Sequence, residues 1–228
     1  MDVIIDKLVD LGFSRTPLPL SNILVVNCVP GAGKTSFIRE LVQSDYNFEA
    51  FTTGVPDNPN LTGNHITKWA GIANPEKFTI LDEYQRLTSF PEGVQAVFGD
   101  PTQSCSPYIL APHLICWRTH RFGSETCALL NSIGFPVNSV KIDSVRIRDI
   151  YSEELVGQTI CCEPEVEKLL SAHGVPFLNH TEVIGQTYDK VTFVTSNQIS
   201  RANRQNHLIC LTRHSLELLI LCPDGLYV

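Results

Sequence analysis

The sequence predicts an α/β protein with mainly parallel sheets, divided between two modest domains. Three observations predict it. Short, apolar, β-branched runs alternate with helical or loop-like connections along the 228 residues. The polar residues with chemical potential fall at the carboxyl ends of those runs, where open parallel sheets carry their sites. One stretch, ILVVNCVPGAGKTSFIREL (residues 23–41), joins a buried strand to a helix through a glycine-rich turn.

Taken in order, Ile4, Leu8 and Leu11 follow helical spacing, so residues 2–12 are expected as a short amphipathic helix, followed by a stiff TPLPL linker (16–20). NILVVN is a buried strand, and the helix from Gly33 carries Phe37, Ile38, Leu41 and Val42 on one face. FEAFTT (48–53) is a second strand, and residues 54–76, with Pro56, Pro59, Gly63, Gly71 and Pro75, are expected as loop. KFTILDEY (77–84) is a strand ending in two carboxylates, and VQAVFGDPTQ (94–103) is a strand ending in a turn. The second half continues with a strand, a basic turn and a helix capped near Ser124 in HLICWRTHRFGSETCALLNSIGF. VRIRDI and GQTICC are short strands, and EPEVEKLLSAHG is a helix with proline at its start and Gly174 past its end. KVTFVTS is a strand, and NHLICLTRHS followed by LELLILC is a helix running into a final strand. The expected divisions are 1–20 for the first helix and linker, 21–115 for one domain and 116–228 for the next.

Composition narrows the function. At 43% hydrophobic and 18% charged residues, the chain can bury cores and is not disordered. A net charge of −7 argues against a generally basic coat, so any nucleic-acid site must be a local patch. The eight cysteines form no C-x-x-C pair and no Cys/His metal spacing, which points to reduced thiols in a cytosolic setting. Asp2, Asp6 and Asp10 do not suit a signal peptide, and no apolar run approaches a membrane span, so a soluble protein is expected.

Gly33, Lys34 and Thr35 complete a phosphate-loop pattern, G-x-x-x-x-G-K-[ST], except that Cys28 stands where the first glycine belongs. Pro30, Gly31, Ala32, Gly33, Lys34, Thr35 and Ser36 form the candidate nucleotide-binding segment. Backbone N–H groups and the helix N-terminus would face phosphates. Lys34 would reach the β- and γ-phosphates from an exposed loop, and the Thr35 hydroxyl would ligate Mg²⁺. In ILDEY, Asp82 is placed for the metal and Glu83 for the attacking water. Adjacent carboxylates ending a buried strand are costly unless a cation or water network satisfies them. FGDPTQ supplies Asp100 and Gln103, the glutamine suited to sense a γ-phosphate; taken alone, an ordinary Asp-Pro turn explains it better. Arg118, His120 and Arg121 in RTHRF, and Arg213 and His214 in LTRHS, offer positive charge for a transferring phosphoryl group or ordinary surface ion pairs. Trp69 and Trp117 could stack on bases or pack in a core. Arg201 and Arg204 with Arg213 form the densest basic segment.

The order of phosphate loop, FTTGVP, ILDEY, FGDPTQ, THRF, IGQTYDKVTFVTS and LICLTRHS resembles the superfamily 1 RNA helicases of positive-strand RNA viruses, from residue 23 to about 221. That resemblance implies two RecA-like P-loop domains of minimal size, with ATP and Mg²⁺ as cofactors and RNA across the domains. By motif it implies that Lys34 and Thr35 hold phosphate and metal, Asp82 and Glu83 serve Mg²⁺ and water, Gln103 senses the γ-phosphate, and Arg121 and Arg213 come from the second domain. Thr52, Thr53 and Gly54 then fall in a motif that touches RNA backbone, as do Thr187 and Ser196. The compact core, with MDVIIDKLVDLGFSRT ahead of it, is similar to the family of triple-gene-block movement proteins of potexviruses. This resemblance implies RNA binding and ATP hydrolysis, transport of viral RNA through plasmodesmata, and suppression of host RNA silencing. It implies single-stranded viral RNA, the coat protein, other movement proteins and the host silencing machinery as partners, with self-association an open question. The location it implies is the host cytoplasm, with plasmodesmata reached through partners and no direct membrane insertion. Two rival readings stay open. One is a small P-loop kinase, which leaves FGDPTQ and LTRHS without a role. The other is a non-catalytic RNA-binding silencing module on a helicase fold.

Overall fold

The computed structural model describes residues 1–103 and 109–227. The chain forms two compact units, Met1–Arg118 and Thr119–Val228.

In the first unit, helix α1 (Asp2–Asp10) buries Ile4, Ile5 and Leu8. Strands β1 (Ser14–Arg15), β2 (Leu24–Cys28), β3 (Phe48–Thr52), β4 (Thr67–Lys68), β5 (Phe78–Asp82), β6 (Ala96–Gly99) and β7 (Leu114–Cys116) form one sheet in the order β1-β7-β2-β6-β5-β3-β4. Every pairing is parallel except β1 with β7. All five residues of β2 are buried, as a parallel strand covered on both faces requires. Helix α2 (Lys34–Ser44) follows β2 and packs Phe37, Ile38, Leu41 and Val42 inward. Both sheet neighbours of β2, β6 and β7, come later in the chain than β3 and β5. The carboxyl end of β2 is therefore a topological switch point, where such sheets bind ligands.

Two short strands of this sheet differ from expectation. Ser14 and Arg15, in the segment assigned to helix and linker, pair with Ile115 and Leu114, so the N-terminal segment closes the edge of this sheet. Thr67 and Lys68, in the expected loop, pair with Phe51 and Thr52. Two-residue strands have no alternation to detect, and only their partners define them.

In the second unit, strands β8 (Ser144–Asp149), β9 (Gln158–Cys161), β10 (Leu178–Asn179), β11 (Tyr188–Val194) and β12 (His214–Cys222) run wholly parallel in the order β10-β9-β11-β12-β8. Val191, Phe193, Leu218, Leu219 and Ile220 are buried in the two central strands. Helices α3 (Ser124–Ser132), α4 (Pro164–Ala172) and α5 (Arg204–Leu211) complete the unit. Pro164 opens α4, where its missing N–H costs nothing. Ser124 does not cap α3; the distant Asp143 does, accepting Gly123 N at 2.8 Å on one oxygen and Glu125 N at 2.9 Å on the other. The same carboxylate meets the buried His214 at 3.2 Å and Thr126 at 2.6 Å. Burial works against the charge of Asp143, but these hydrogen bonds hold its carboxyl far below the usual range.

Candidate nucleotide-binding site

Beyond β2 the chain turns through Gly31 (φ 77°) and Gly33 (φ 91°), left-handed angles that a side chain resists. Gly33 sits at the N-cap of α2 with no side-chain cap, which leaves the first helical N–H groups for an outside acceptor. Cys28 is the last residue of β2 and is buried at 5% exposure, so the position of the absent glycine is ordinary strand. Burial pushes its thiol well up, which makes it an inert neutral group.

The sheet brings the chemical residues of this unit together. The Thr35 hydroxyl donates to Asp82 Oδ2 at 2.9 Å, and Lys34 Nζ pairs with Glu83 Oε1 at 2.8 Å. The expectation of an exposed loop lysine is corrected here: the Lys34 side chain is only 12% exposed, because the ion pair folds it against the end of β5. Burial disfavours its charge, but Glu83 and then Asp82 outweigh it and hold the ammonium above its usual range. Burial pushes Asp82 up to about 6 against the pull of Lys34. Glu83 is partly buried, which raises its carboxyl, yet Lys34, Arg86 and Gln85 leave it below the ordinary value and ionised at neutral pH.

Glu83 also has φ 60° and ψ 34°, a left-handed conformation that costs a residue with a Cβ about 1–2 kcal/mol. Its surroundings over-determine it. Thr53 Oγ1 donates to its carbonyl at 2.6 Å, Gln85 Nε2 to its Oε2 at 2.7 Å, and its own N–H to Asp82 Oδ1 at 2.9 Å. Residues held this way cluster at functional sites.

Sequence reasoning missed Gln85. Besides gripping Glu83, its Oε1 accepts Asp100 N at 3.3 Å, joining the ends of β5 and β6. Gly99 must be glycine because a Cβ there would stand 2.4 Å from Gln85 Oε1 and 2.7 Å from the Tyr84 ring. Asp100 is fully buried, and Gln103 Nε2 donates to its Oδ2 at 2.6 Å. Thr52, Thr53 and Gly54 adjoin this group: Thr53 N donates to Asp82 O at 3.2 Å, and a Cβ on Gly54 would lie 3.3 Å from Glu83 Cγ. Lys68, also missed, donates to the carbonyls of Thr53 and Gly54 at 2.9 and 2.8 Å. Its position in the expected loop hid it.

In the second unit, Arg121 and Arg213 converge on one turn. Arg121 Nη1 donates to Thr212 O at 3.2 Å and Arg213 Nη2 to Thr212 Oγ1 at 3.0 Å. Arg213 Nε also donates to Ile209 O at 2.9 Å, at the end of α5. Thr187 lies exposed just before β11. Ser196 follows β11, but its N–H donates to Glu163 at 2.9 Å and its hydroxyl to Glu165 at 3.1 Å, and two carboxylates repel a phosphate. Arg204 is structural: it donates to the carbonyls of Ile133 and Gly134 and lies 4.0 Å over the Phe135 ring. Trp69 packs edge-on against Phe51 at 5.2 Å in the core of the first unit, whereas Trp117 is 43% exposed.

Residues 24–222 match the model of the viral superfamily 1 RNA helicase core domain. The chain belongs to this helicase family. Within it, the chain is 42% identical over 230 residues to the movement and silencing protein TGBp1 of Poplar mosaic virus, covering 100% of this chain and 99% of that protein. It is 42% identical over 228 residues to TGBp1 of Chrysanthemum virus B, with the same coverage, and 36% identical over 227 residues to TGBp1 of Papaya mosaic potexvirus, covering 98% and 96%. Among solved structures, the arterivirus nonstructural protein 10 helicase aligns with a TM-score of 0.56 at 19% identity, covering 96% of this chain. That likeness is one of fold, and the chain spans 56% of the arterivirus helicase chain. A structure of the same arterivirus helicase in complex with DNA matches equally. The fold is thus the RecA-like helicase core. Among the described residues, no helix is long and apolar enough to cross a membrane.

Proposed function

We propose that the chain is an RNA-stimulated ATPase of helicase type that serves virus movement and the suppression of host RNA silencing. The observation that carries the chemistry is the paired contact of Lys34 with Glu83 and Thr35 with Asp82 at the switch point of a parallel sheet. The names of the TGBp1 relatives support the biological role.

The residues fit a magnesium nucleotide. The Thr35 hydroxyl and the Asp82 carboxylate are hard oxygen donors 2.9 Å apart, a set that suits Mg²⁺ better than a softer metal. The turn after β2, with the N-terminus of α2 and Ser36 behind it, offers the N–H groups of Gly31 and Gly33 to phosphate oxygens, whereas Pro30 has no N–H and Ala32 N donates to Val29 O at 3.3 Å. When bound, Mg²⁺ would neutralise charge between the β- and γ-phosphates. Lys34 exchanges its Glu83 partner for phosphate, and this exchange frees the Glu83 carboxylate. Glu83, kept ionised and aimed by Thr53 and Gln85, orients the attacking water and takes its proton. Gln103, set by Asp100, reports the γ-phosphate, and Arg121 and Arg213 stabilise charge on the transferring group.

Glu83→Gln tests this assignment. The variant should bind Mg·ATP as the wild type does and turn it over ~10²–10⁴-fold more slowly, the range for loss of a general base. Loss of nucleotide binding with an unchanged rate at saturation would reassign Asp82 and Glu83.

Single-stranded viral RNA is the proposed ligand. Thr53 and Gly54 with Lys68 offer a short polar, basic edge for a sugar–phosphate backbone, and Thr187 offers a second, whereas Thr52 is 3% exposed and its Oγ1 accepts Gly54 N at 2.9 Å, so it supports that edge from beneath. The carboxylates around Ser196 leave it the weaker candidate. A chain of net charge −7 can hold RNA only through such local groups. With ~4 phosphate contacts, the logarithm of affinity should fall with the logarithm of salt at a slope near −3, about −0.7 per contact. Fluorescence anisotropy across a salt series measures it, and a flat response contradicts backbone tracking. The same reading gives the coat protein, other movement proteins and the silencing machinery as partners in the host cytoplasm and at plasmodesmata.

A further inference from the structure

We propose that Cys162, Glu163 and His207 form a zinc-binding site in the second unit. Neither the proposed ATPase chemistry nor the RNA contacts use this cluster. Among the described residues it is the one group of three metal-ligating side chains whose donor atoms all lie within 4.8 Å of one another.

Three elements build it. Cys162 and Glu163 link the end of β9 to the start of α4, and α5 supplies His207. The Cys162 thiol lies within 4.8 Å of both the His207 ring nitrogen and the Glu163 carboxylate. All three residues are buried: Cys162 is 9% exposed, Glu163 7% and His207 0%. No C-x-x-C spacing announces the site, because its ligands are an adjacent Cys-Glu pair and a distant histidine.

The local geometry resembles a first shell with its supports in place. His207 Nδ1 bonds the hydroxyl of Tyr227 at 2.8 Å, which turns Nε2 toward Cys162 and Glu163. Metal-binding histidines are commonly oriented through the other ring nitrogen in this way. Glu163 Oε1 also receives Thr195 Oγ1 at 2.7 Å, and Oε2 receives Ser196 N at 2.9 Å, which fix the carboxylate plane. His207 Nε2 stands 3.3 Å from Glu163 Oε1. That is long for a charge-assisted hydrogen bond, which averages about 2.8 Å. It equals the ~3.3 Å edge of a tetrahedron around zinc with nitrogen and oxygen bonds of about 2.0–2.1 Å.

The donor chemistry selects the metal. Thiolate, imidazole and carboxylate together suit zinc, whereas Mg²⁺ and Ca²⁺ take oxygen alone. A water would take the fourth tetrahedral position, and the burial of all three protein ligands shields the metal from bulk solvent. The metal would tie α5 to the β9–α4 junction and, through Glu163, to the turn at Thr195 and Ser196.

The test uses the full chain without an affinity tag, freed of metal by a chelator and titrated with zinc chloride against a chromophoric zinc chelator. One equivalent should bind with sub-micromolar affinity and raise the melting temperature. Cobalt(II) in place of zinc should give the charge-transfer absorption of a cobalt–thiolate bond. Cys162→Ser and His207→Gln should each weaken zinc binding by about 100-fold or more, beyond the 10–100-fold cost of an outer-shell change. Cys127→Ser, in α3, should bind zinc normally. Should the ligand variants fail to fold, the wild-type stoichiometry and cobalt spectrum decide. Less than one equivalent of zinc at micromolar concentration without a cobalt–thiolate band overturns the site, as does equal binding by Cys162→Ser and Cys127→Ser.

Discussion

Replacing Lys34 with alanine is expected to lower ATP turnover by ~10²–10³-fold or more, the cost of removing one preorganised group from a developing charge. It is also expected to destabilise the first unit. The side chains of Lys34 and Glu83 are 12% and 19% exposed and pair at 2.8 Å. Breaking a buried pair by removing one partner leaves an uncompensated charge and costs about 3–5 kcal/mol. Gln85 Nε2, at 2.7 Å from Glu83 Oε2, and Arg86 Nε, at 3.9 Å from the same oxygen, offset part of that, so about 3 kcal/mol is expected. The stability loss should shrink in the double variant Lys34→Ala with Glu83→Gln, because no unpaired carboxylate then remains. Turnover should not recover in the double variant. Urea denaturation and steady-state phosphate release separate the two effects. Near-normal turnover by folded Lys34→Ala removes the nucleotide-site assignment.

Arg213→Ala is expected to cut turnover by roughly 10²-fold or more while changing nucleotide affinity far less. Arginines that meet the γ-phosphate in the transition state contribute about 10³–10⁵-fold in phosphoryl transfer. Arg213 is 1% exposed, and its guanidinium donates to Ile209 O, Val183 O and Thr212 Oγ1 at 2.9, 3.4 and 3.0 Å. Those acceptors occupy the guanidinium, so Arg213 must exchange at least one of them to reach a phosphate, and Thr212 joins it to Arg121. Lysine should be a poor substitute, since a single ammonium cannot match a planar fork. Because Arg121 shares that turn, the double alanine variant should be little worse than the worse single one. The alanine change also removes buried hydrogen bonds, so turnover is compared at a temperature where circular dichroism shows both proteins folded. A wild-type rate in folded Arg213→Ala leaves Arg213 a structural residue of the α5–β12 turn.

Much of this was legible in sequence, and the reasons are local. β2 and β5 are short apolar runs with a glycine turn or a carboxylate pair at their ends, so strand and site announce each other. Pro164 and Gly174 mark α4 by the same kind of nearby chemistry. What was illegible depends on residues far apart in the chain. β1, β4 and β10 have two residues each and exist through their partners. The cap of α3 comes from Asp143, about twenty residues away, and the burial of Lys34 comes from Glu83 on another strand. Gln85 follows the carboxylates without any periodic signal, yet it joins Glu83 to the end of β6. Arg204 read as part of a basic face because its acceptors, Ile133 and Gly134, lie seventy positions upstream.

The most direct measurement is phosphate release from Mg·ATP by the purified chain, titrated with single-stranded RNA at one stated salt concentration. A helicase-type ATPase is predicted to turn over slowly alone and several-fold faster as RNA saturates, with no other acceptor present. Turnover that ignores RNA and requires a small-molecule acceptor would show a kinase. RNA binding without phosphate release would contradict the catalytic reading of Lys34, Asp82 and Glu83.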